Sequence, residues 1–170
     1  MYVVEPAPPE GARATSLCTW KSNHHAPRVA VEVVSESTAE KDYGDGPDRY
    51  AASGTQELWM FDPLLAGPDT RGGPTVLQVW RRDKEGVFRR VYAGEGPARS
   101  EELGAWLVVT DARSRLRIAE DPQGTLLWPT EAEFERAAKE RERAAKEAAE
   151  AEVAMLRAEL ARLRSGTGTP

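Results

Sequence analysis

The sequence predicts an α/β (α+β) fold: a mixed β-sheet core with flanking helices, followed by one long C-terminal helix. Three observations predict it. Short runs rich in β-branched and aromatic residues recur at 29–34, 57–61, 76–80 and 87–92 between connections rich in Gly and Pro. The stretch between the first two runs carries helix signals. From Thr130 the composition switches abruptly to Ala, Glu, Lys and Arg, with no Gly or Pro until Gly166. A chain of 170 residues with 40% hydrophobic content is long enough for one core and an appendage but short for two full domains. The predicted boundaries are a folded domain over 1–129, a charged helix over 130–164 and a disordered tail over 165–170.

Val3-Val4 reads as the end of a strand. Residues 5–27, with Pro6, Pro8, Pro9, Gly11 and Pro27, read as irregular. A strand follows at 29–34. Gly44, Gly46 and Pro47 argue against one uninterrupted helix after it, and a turn leading to a short helix through Arg49-Tyr50-Ala51-Ala52, stopped by Gly54, fits better. The strand 57–61 is closed by Asp62-Pro63, and 64–74 reads as an exposed connection. Asp83-Lys84-Glu85-Gly86 separates 76–80 from 87–92 as a hairpin turn, because Gly takes the positive φ that tight turns require. Further short strands are predicted at 106–109 and 115–118, with Leu126-Leu127-Trp128 packing as a last element.

In the tail, Thr130 and Glu133 match a capping box, Glu135/Lys139 and Glu142/Lys146 are favourable i,i+4 pairs, and Ser165-Gly166 is a stop. Val153, Leu156, Leu160 and Leu163 are spaced 3-4-3, as a and d positions of a short coiled coil. That seam spans under two heptads, so it reads either as a self-association surface or as the weakly sticky end of a solvated helix.

Formal net charge is −5, which excludes an overall basic field that would draw the chain to nucleic acid or to anionic membrane. The tail holds 8 Lys/Arg and 9 Asp/Glu, so both pieces are acidic. Cys18 is the only cysteine, which excludes an intrachain disulfide and a thiolate metal cage and suits a reducing compartment. Neither a secretory leader nor a membrane-spanning run is evident, and the chain reads as cytoplasmic, without a membrane partner.

Glu32 stands out within Val29-Ala30-Val31-Glu32-Val33-Val34. A carboxylate in an apolar strand costs several kcal/mol unless a partner offsets it, so it points to a metal ion, a basic partner or catalysis. Alternation puts Val29, Val31 and Val33 on one face and Arg28, Ala30, Glu32 and Val34 on the other. Arg28 shares that face, yet residues four apart on a strand lie about 13 Å apart, too far for direct pairing without bending.

Together with the segments C-terminal to it, this strand resembles the Uma2 family of restriction-type endonucleases, a branch of the PD-(D/E)XK nuclease superfamily. The residues that carry the resemblance are Ala26 through Ser35, then Ser37-Thr38, Asp42, Tyr50-Ala51 and Gly54, then Glu57-Leu58-Trp59-Met60-Phe61-Asp62-Pro63. The Val76–Trp80 strand, Tyr92 and Leu103-Gly104 also fit. The resemblance implies a restriction-endonuclease-like mixed sheet and Mg²⁺- (or Mn²⁺-) dependent hydrolysis of DNA. An Asp and a Glu would hold the hard cation while a Lys activates water.

Glu32 matches the metal-binding Glu. The superfamily lysine position holds Val34, and the segment 42–49, where this branch commonly carries its lysine, has none. Lys41 is the nearest candidate for water activation. The resemblance puts the matching Asp before Met1, on a strand of which Val3-Val4 would be the end, and Glu5 is the nearest carboxylate to substitute. The catalytic set is thus incomplete. The alternative to a Mg²⁺-dependent endonuclease is a catalytically silent nuclease fold that serves as a binding or assembly module, its C-terminal helix mediating association.

Other candidates have plainer readings. His24-His25 reads as solvent-exposed rather than ligating. Asp62-Pro63 reads as a strand-ending turn, and Glu57 alternates with core aromatics, although either carboxylate could face Glu32. Asp42 reads as a cap or as a neighbour of the site. Trp59, Trp80 and Trp106 lie in apolar strand patterns and read as core rather than as base-stacking platforms. Arg81-Arg82 and Arg89-Arg90 read as a solvated hairpin face or a small basic patch.

Overall fold

The computed structural model describes residues 2–3 and 25–166. Most of the irregular segment predicted over 5–27, with Glu5, Cys18 and His24, lies outside the described residues, as do Val4 and 167–170. Two compact units divide the chain, residues 1–128 and 129–170.

The first unit is α+β. Its main sheet has five strands, β1 (Tyr2–Val3), β2 (Val29–Val33), β3 (Glu57–Phe61), β4 (Leu77–Arg82) and β5 (Phe88–Gly94), in that spatial order. Of these neighbours, β2 and β3 run parallel and the others antiparallel. A parallel pair needs a crossover, and two short helices supply it, α1 (Ala39–Gly44) and α2 (Gly46–Ser53). Where a turn and one helix were predicted, the chain makes two helices that meet at Asp45. Pro47 is tolerated because it falls in the first turn of α2, where its missing N–H has no intrahelical partner to lose. Gly54 ends α2 in the left-handed region at φ 91°, as predicted.

The predicted hairpin forms between β4 and β5. Asp83 accepts the backbone N–H groups of Val87 (2.8 Å) and Glu85 (3.1 Å), and Gly86 takes φ 85°. The later strands do not join this sheet. β6 (Ala98–Ser100), β7 (Ala105–Thr110) and β8 (Arg115–Ala119) make a second, antiparallel sheet of three. Leu127 adds only one bridge to Ala119, and Leu126, Leu127 and Trp128 stay exposed rather than packing as a final element.

The main sheet therefore has two covered faces. On one, Ala30, Val34, Leu58, Met60 and Phe88 pack with Ala39, Tyr43 and Ala51 of the helices. On the other, Val29, Trp59, Leu77 and Val79 pack with Ala98 and Leu107 of the second sheet. All five residues of β3 are buried, as expected for a central strand with both faces covered.

The second unit is helix α3 (Glu131–Gly166), whose described side chains are exposed through Leu163. The capping box is made: Thr130 N–H donates to Glu133 (2.7 Å) and Glu133 N–H to the Thr130 hydroxyl (3.3 Å). Glu135 and Lys139 pair at 3.8 Å, while Lys146 lies against Glu150 (3.9 Å) rather than the predicted Glu142. The helix continues through Ser165 and Gly166, where a disordered tail was predicted. Among the described residues no helix is long and apolar enough to cross a membrane.

Candidate functional site

Glu32 lies on the helix-covered face, in register with Met60 on β3, which is in turn opposite Gln78 on β4. It is one residue from the C-terminal end of β2, half-buried, where the parallel pair opens toward the crossover. Ligands of sheets with parallel strands commonly bind beyond those ends. The Tyr50 hydroxyl, on α2, donates to Glu32 Oε2 at 2.5 Å, the length of a charge-assisted hydrogen bond. The same bond explains how an apolar strand tolerates the carboxylate. Glu32 Oε1 has no hydrogen-bond partner among the described residues.

Two more polar groups lie on this side of the sheet. Asp42 is in the buried stripe of α1 with Ala39 and Tyr43; its Oδ2 is inaccessible and accepts no hydrogen bond from the described residues. It does not cap α2, since that N-cap is Asp45 and makes no side-chain cap bond. Gln78 is fully buried: its Oε1 accepts from Trp80 Nε1 (3.1 Å), and its Nε2 is unpartnered among the described residues. Lys41 is exposed on α1, outside the stripe that faces the sheet, and its carbonyl accepts the Asp45 N–H at 3.0 Å.

Several sequence candidates fall elsewhere. Glu57 is on the opposite face from Glu32 and is fully buried against the second sheet. It accepts from Ser100 Oγ (2.5 Å), Trp59 Nε1 (2.6 Å), Glu101 N–H (3.0 Å) and Arg81 Nε (3.2 Å). Asp62 is the turn-former predicted from Asp62-Pro63, and its carboxylate is taken up by Tyr43 of α1 and by the turn that follows. Fully buried, it accepts from the Tyr43 hydroxyl (2.9 Å) and from Ala66 and Gly67 N–H (2.9 and 2.8 Å). Burial pushes the Tyr43 phenol above its ordinary value; the backbone contact with Thr75 opposes this, and the bond to Asp62 and its charge add to it.

Arg28 departs from the predicted alternation. A bend just before β2 turns it to Glu102, at 2.7 Å, beside the second sheet. The arginines of the hairpin are largely engaged. Arg81 holds Glu57 and the Arg99 carbonyl, Arg89 pairs with Asp83 (2.9 Å), and Arg90 stacks over Trp80 while bonding Gly72. Trp59 is core as predicted, whereas Trp80 and Trp106 are partly exposed, each under an arginine. His25 is exposed, and no group of three or more His, Cys, Asp or Glu that could hold a metal occurs among the described residues.

Sequence reasoning missed two participants, the Tyr50 hydroxyl as the partner of Glu32 and Gln78 as its neighbour across β3. The alternation of β4 puts Gln78 amid apolar residues and was the available signal for it.

The fold and this face define an α+β domain with one under-satisfied carboxylate at the end of a parallel strand pair. The Uma2 family, described as "Putative restriction endonuclease", matches residues 1–111, and the chain belongs to it. Membership supports a nuclease-like function. The match ends just past β7, so β8 and α3 lie beyond it. No curated protein and no solved structure matches the chain.

Proposed function

We propose that this protein is a divalent-metal-dependent DNA endonuclease of the restriction-like type, with Glu32 as metal ligand. The observation that carries this is the half-buried Glu32 carboxylate, fixed by Tyr50 through one oxygen while the other accepts nothing from the described residues. A carboxylate oxygen suits Mg²⁺ or Mn²⁺, hard cations commonly held by one or two carboxylates plus waters and substrate phosphate. The described residues fit such an ion in kind but supply a partial set.

When bound, the cation offsets charge developing on the phosphate oxygens. Tyr50 holds the Glu32 carboxylate in one orientation. Lys41, the one lysine between Glu32 and Tyr50, is the candidate for orienting and activating the attacking water on its place in the sequence alone, since it is exposed outside the stripe of α1 that faces the sheet.

Cleavage of plasmid DNA with Mg²⁺ or Mn²⁺ tests the reading. Glu32→Ala should reduce turnover to background and Lys41→Ala should reduce it in part, both with unchanged circular dichroism. Equal turnover in the wild type and Glu32→Ala would remove Glu32 from the reaction.

A second reading is favoured by Val34, by Gly46 within a lysine-free 42–49 and by the partial ligand set: a catalytically silent nuclease fold used for binding or assembly. Metal-dependent turnover abolished by Glu32→Ala rules it out.

A further inference from the structure

We propose that the distal part of α3 joins two copies of this chain as a short parallel coiled coil over residues 152–164. The inference rests on the helix alone and stands or falls apart from the nuclease reading. Val153 and Leu160 take the a positions, Leu156 and Leu163 the d positions, and these four apolar side chains are 46–63% exposed in the single chain. Val at a followed by Leu at d is the combination that favours two strands.

The flanking charges identify the partner and its direction. In this frame Glu152 and Glu159 occupy g, while Arg157 and Arg164 occupy e. In a parallel pair each g residue faces the partner's e residue five positions on, which matches Glu152 with Arg157 and Glu159 with Arg164 on both sides of the seam. In an antiparallel pair g faces g and e faces e, so glutamate would meet glutamate and arginine would meet arginine. A second copy in parallel is the arrangement that this pattern attracts.

A separate observation points the same way. The ion pairs within α3 lie upstream of the seam, Glu135 with Lys139, Arg143 with Glu147 and Lys146 with Glu150. Glu152, Arg157 and Glu159 make no ion pair among the described residues. Continued upstream, the same frame puts Lys146 and Lys139 at a and Glu142 at d, like charges in register that confine the contact to the distal end.

Analytical ultracentrifugation of the full chain tests the proposal. The wild type should shift with concentration from one chain mass toward two. Glu152→Arg with Glu159→Arg, and separately Arg157→Glu with Arg164→Glu, should each weaken association at least tenfold. An equimolar mixture of the two variants should recover the doubled mass. These substitutions lie in the second unit, on a helix whose described side chains are exposed through Leu163, so loss of the first unit's fold does not confound them.

Orientation is read from Leu163→Cys in a Cys18→Ser chain. Parallel helices bring the two d positions together and an interchain disulfide forms on mild oxidation. Antiparallel pairing puts residue 163 opposite 153, separating the thiols by about 15 Å along the axis. A wild type that stays monomeric at every attainable concentration overturns the proposal, as does a dimer insensitive to both charge variants or one that forms no disulfide at 163.

Discussion

Glu57 carries the buried polar contact between the two sheets, beside the apolar cluster of Val29, Trp59, Leu77, Val79, Ala98 and Leu107, and its removal tests how much that contact contributes. Its carboxylate is fully buried and takes four donors, two of them side chains that are themselves shut off from water, Trp59 at 1% and Ser100 at 0% exposure. Glu57→Ala leaves those donors without an acceptor, at about 1–3 kcal/mol each before relaxation. It also strips Arg81 of its buried partner. Arg81 is itself partly exposed and keeps the Arg99 carbonyl, so its charge can turn toward water and the full cost of an orphaned buried ion does not apply.

The losses share one cavity and are not additive, since a water that enters it serves more than one donor. A total of about 3–5 kcal/mol is expected, a large fraction of the roughly 5–15 kcal/mol typical of a domain. Glu57→Gln keeps the volume and one acceptor but turns an NH₂ toward existing donors, and about 2–3 kcal/mol is expected for it. Urea unfolding of both variants, followed by far-ultraviolet circular dichroism and tryptophan fluorescence, measures this. In a thermal scan the alanine variant should melt about 10–20 °C lower. A loss below about 1 kcal/mol for Glu57→Ala would refute the claim that this network helps to hold the second sheet onto the first.

Tyr50→Phe should lower stability by about 1 kcal/mol and raise the Mn²⁺ concentration needed for half-maximal DNA cleavage, because Glu32 loses the bond that fixes its rotamer. Unchanged metal dependence would show that Tyr50 does not position Glu32. Gly67→Ala should destabilise by about 1–3 kcal/mol in urea, since a Cβ there runs into the buried ring of Tyr43; an unaltered midpoint would mean that this loop moves freely.

At acid pH, Asp121 and Asp83 should weaken the fold. Backbone N–H donors, from Leu126 and Val87 first, hold both carboxyls below their ordinary value. Stabilisation of that kind is present above the unfolded carboxyl pKa of about 3.9 and is lost as pH falls through the lower folded value. Asp121→Asn should flatten the acid limb of a stability-against-pH curve, and an identical limb in wild type and variant would count against it.

The elements read best from sequence are those whose signals are local. The hairpin at 83–86, the stop at Gly54 and the box at Thr130 and Glu133 each need only a few adjacent residues, and each forms as read. Two strands of the second sheet, β7 and β8, form where strands were read at 106–109 and 115–118, whereas β6 went unread because it is three residues long, too short to show alternation. The helix pair was half legible: Gly44, Gly46 and Pro47 break the pattern, yet a proline in a first turn starts a helix as readily as it ends one. At the site, alternation put Glu32 on the face opposite Val29 and Val31, where it is. Its hydrogen bond to Tyr50 spans 18 positions through a crossover, and no periodicity encodes such a contact.

The buried and half-buried carboxylates of the folded unit differ in how fully their oxygens are occupied, and that difference separates structural from ligand-binding roles. Glu57 accepts four hydrogen bonds and Asp62 three, so a cation or substrate could reach them only by displacing protein donors. Asp42 is as deeply buried, with an oxygen that accepts nothing from the described residues. Glu32 accepts one bond from Tyr50, keeps its second oxygen unoccupied among the described residues and is half open to solvent. Desolvating a carboxylate is unfavourable unless its acceptor sites are matched, so a site that selection kept only for stability would have been filled as Glu57 is. Substitution at Glu57 should therefore move stability, whereas substitution at Glu32 should move binding and turnover with little change in the unfolding midpoint; a Glu32→Gln chain whose unfolding midpoint falls as far as that of Glu57→Gln would reverse the assignment.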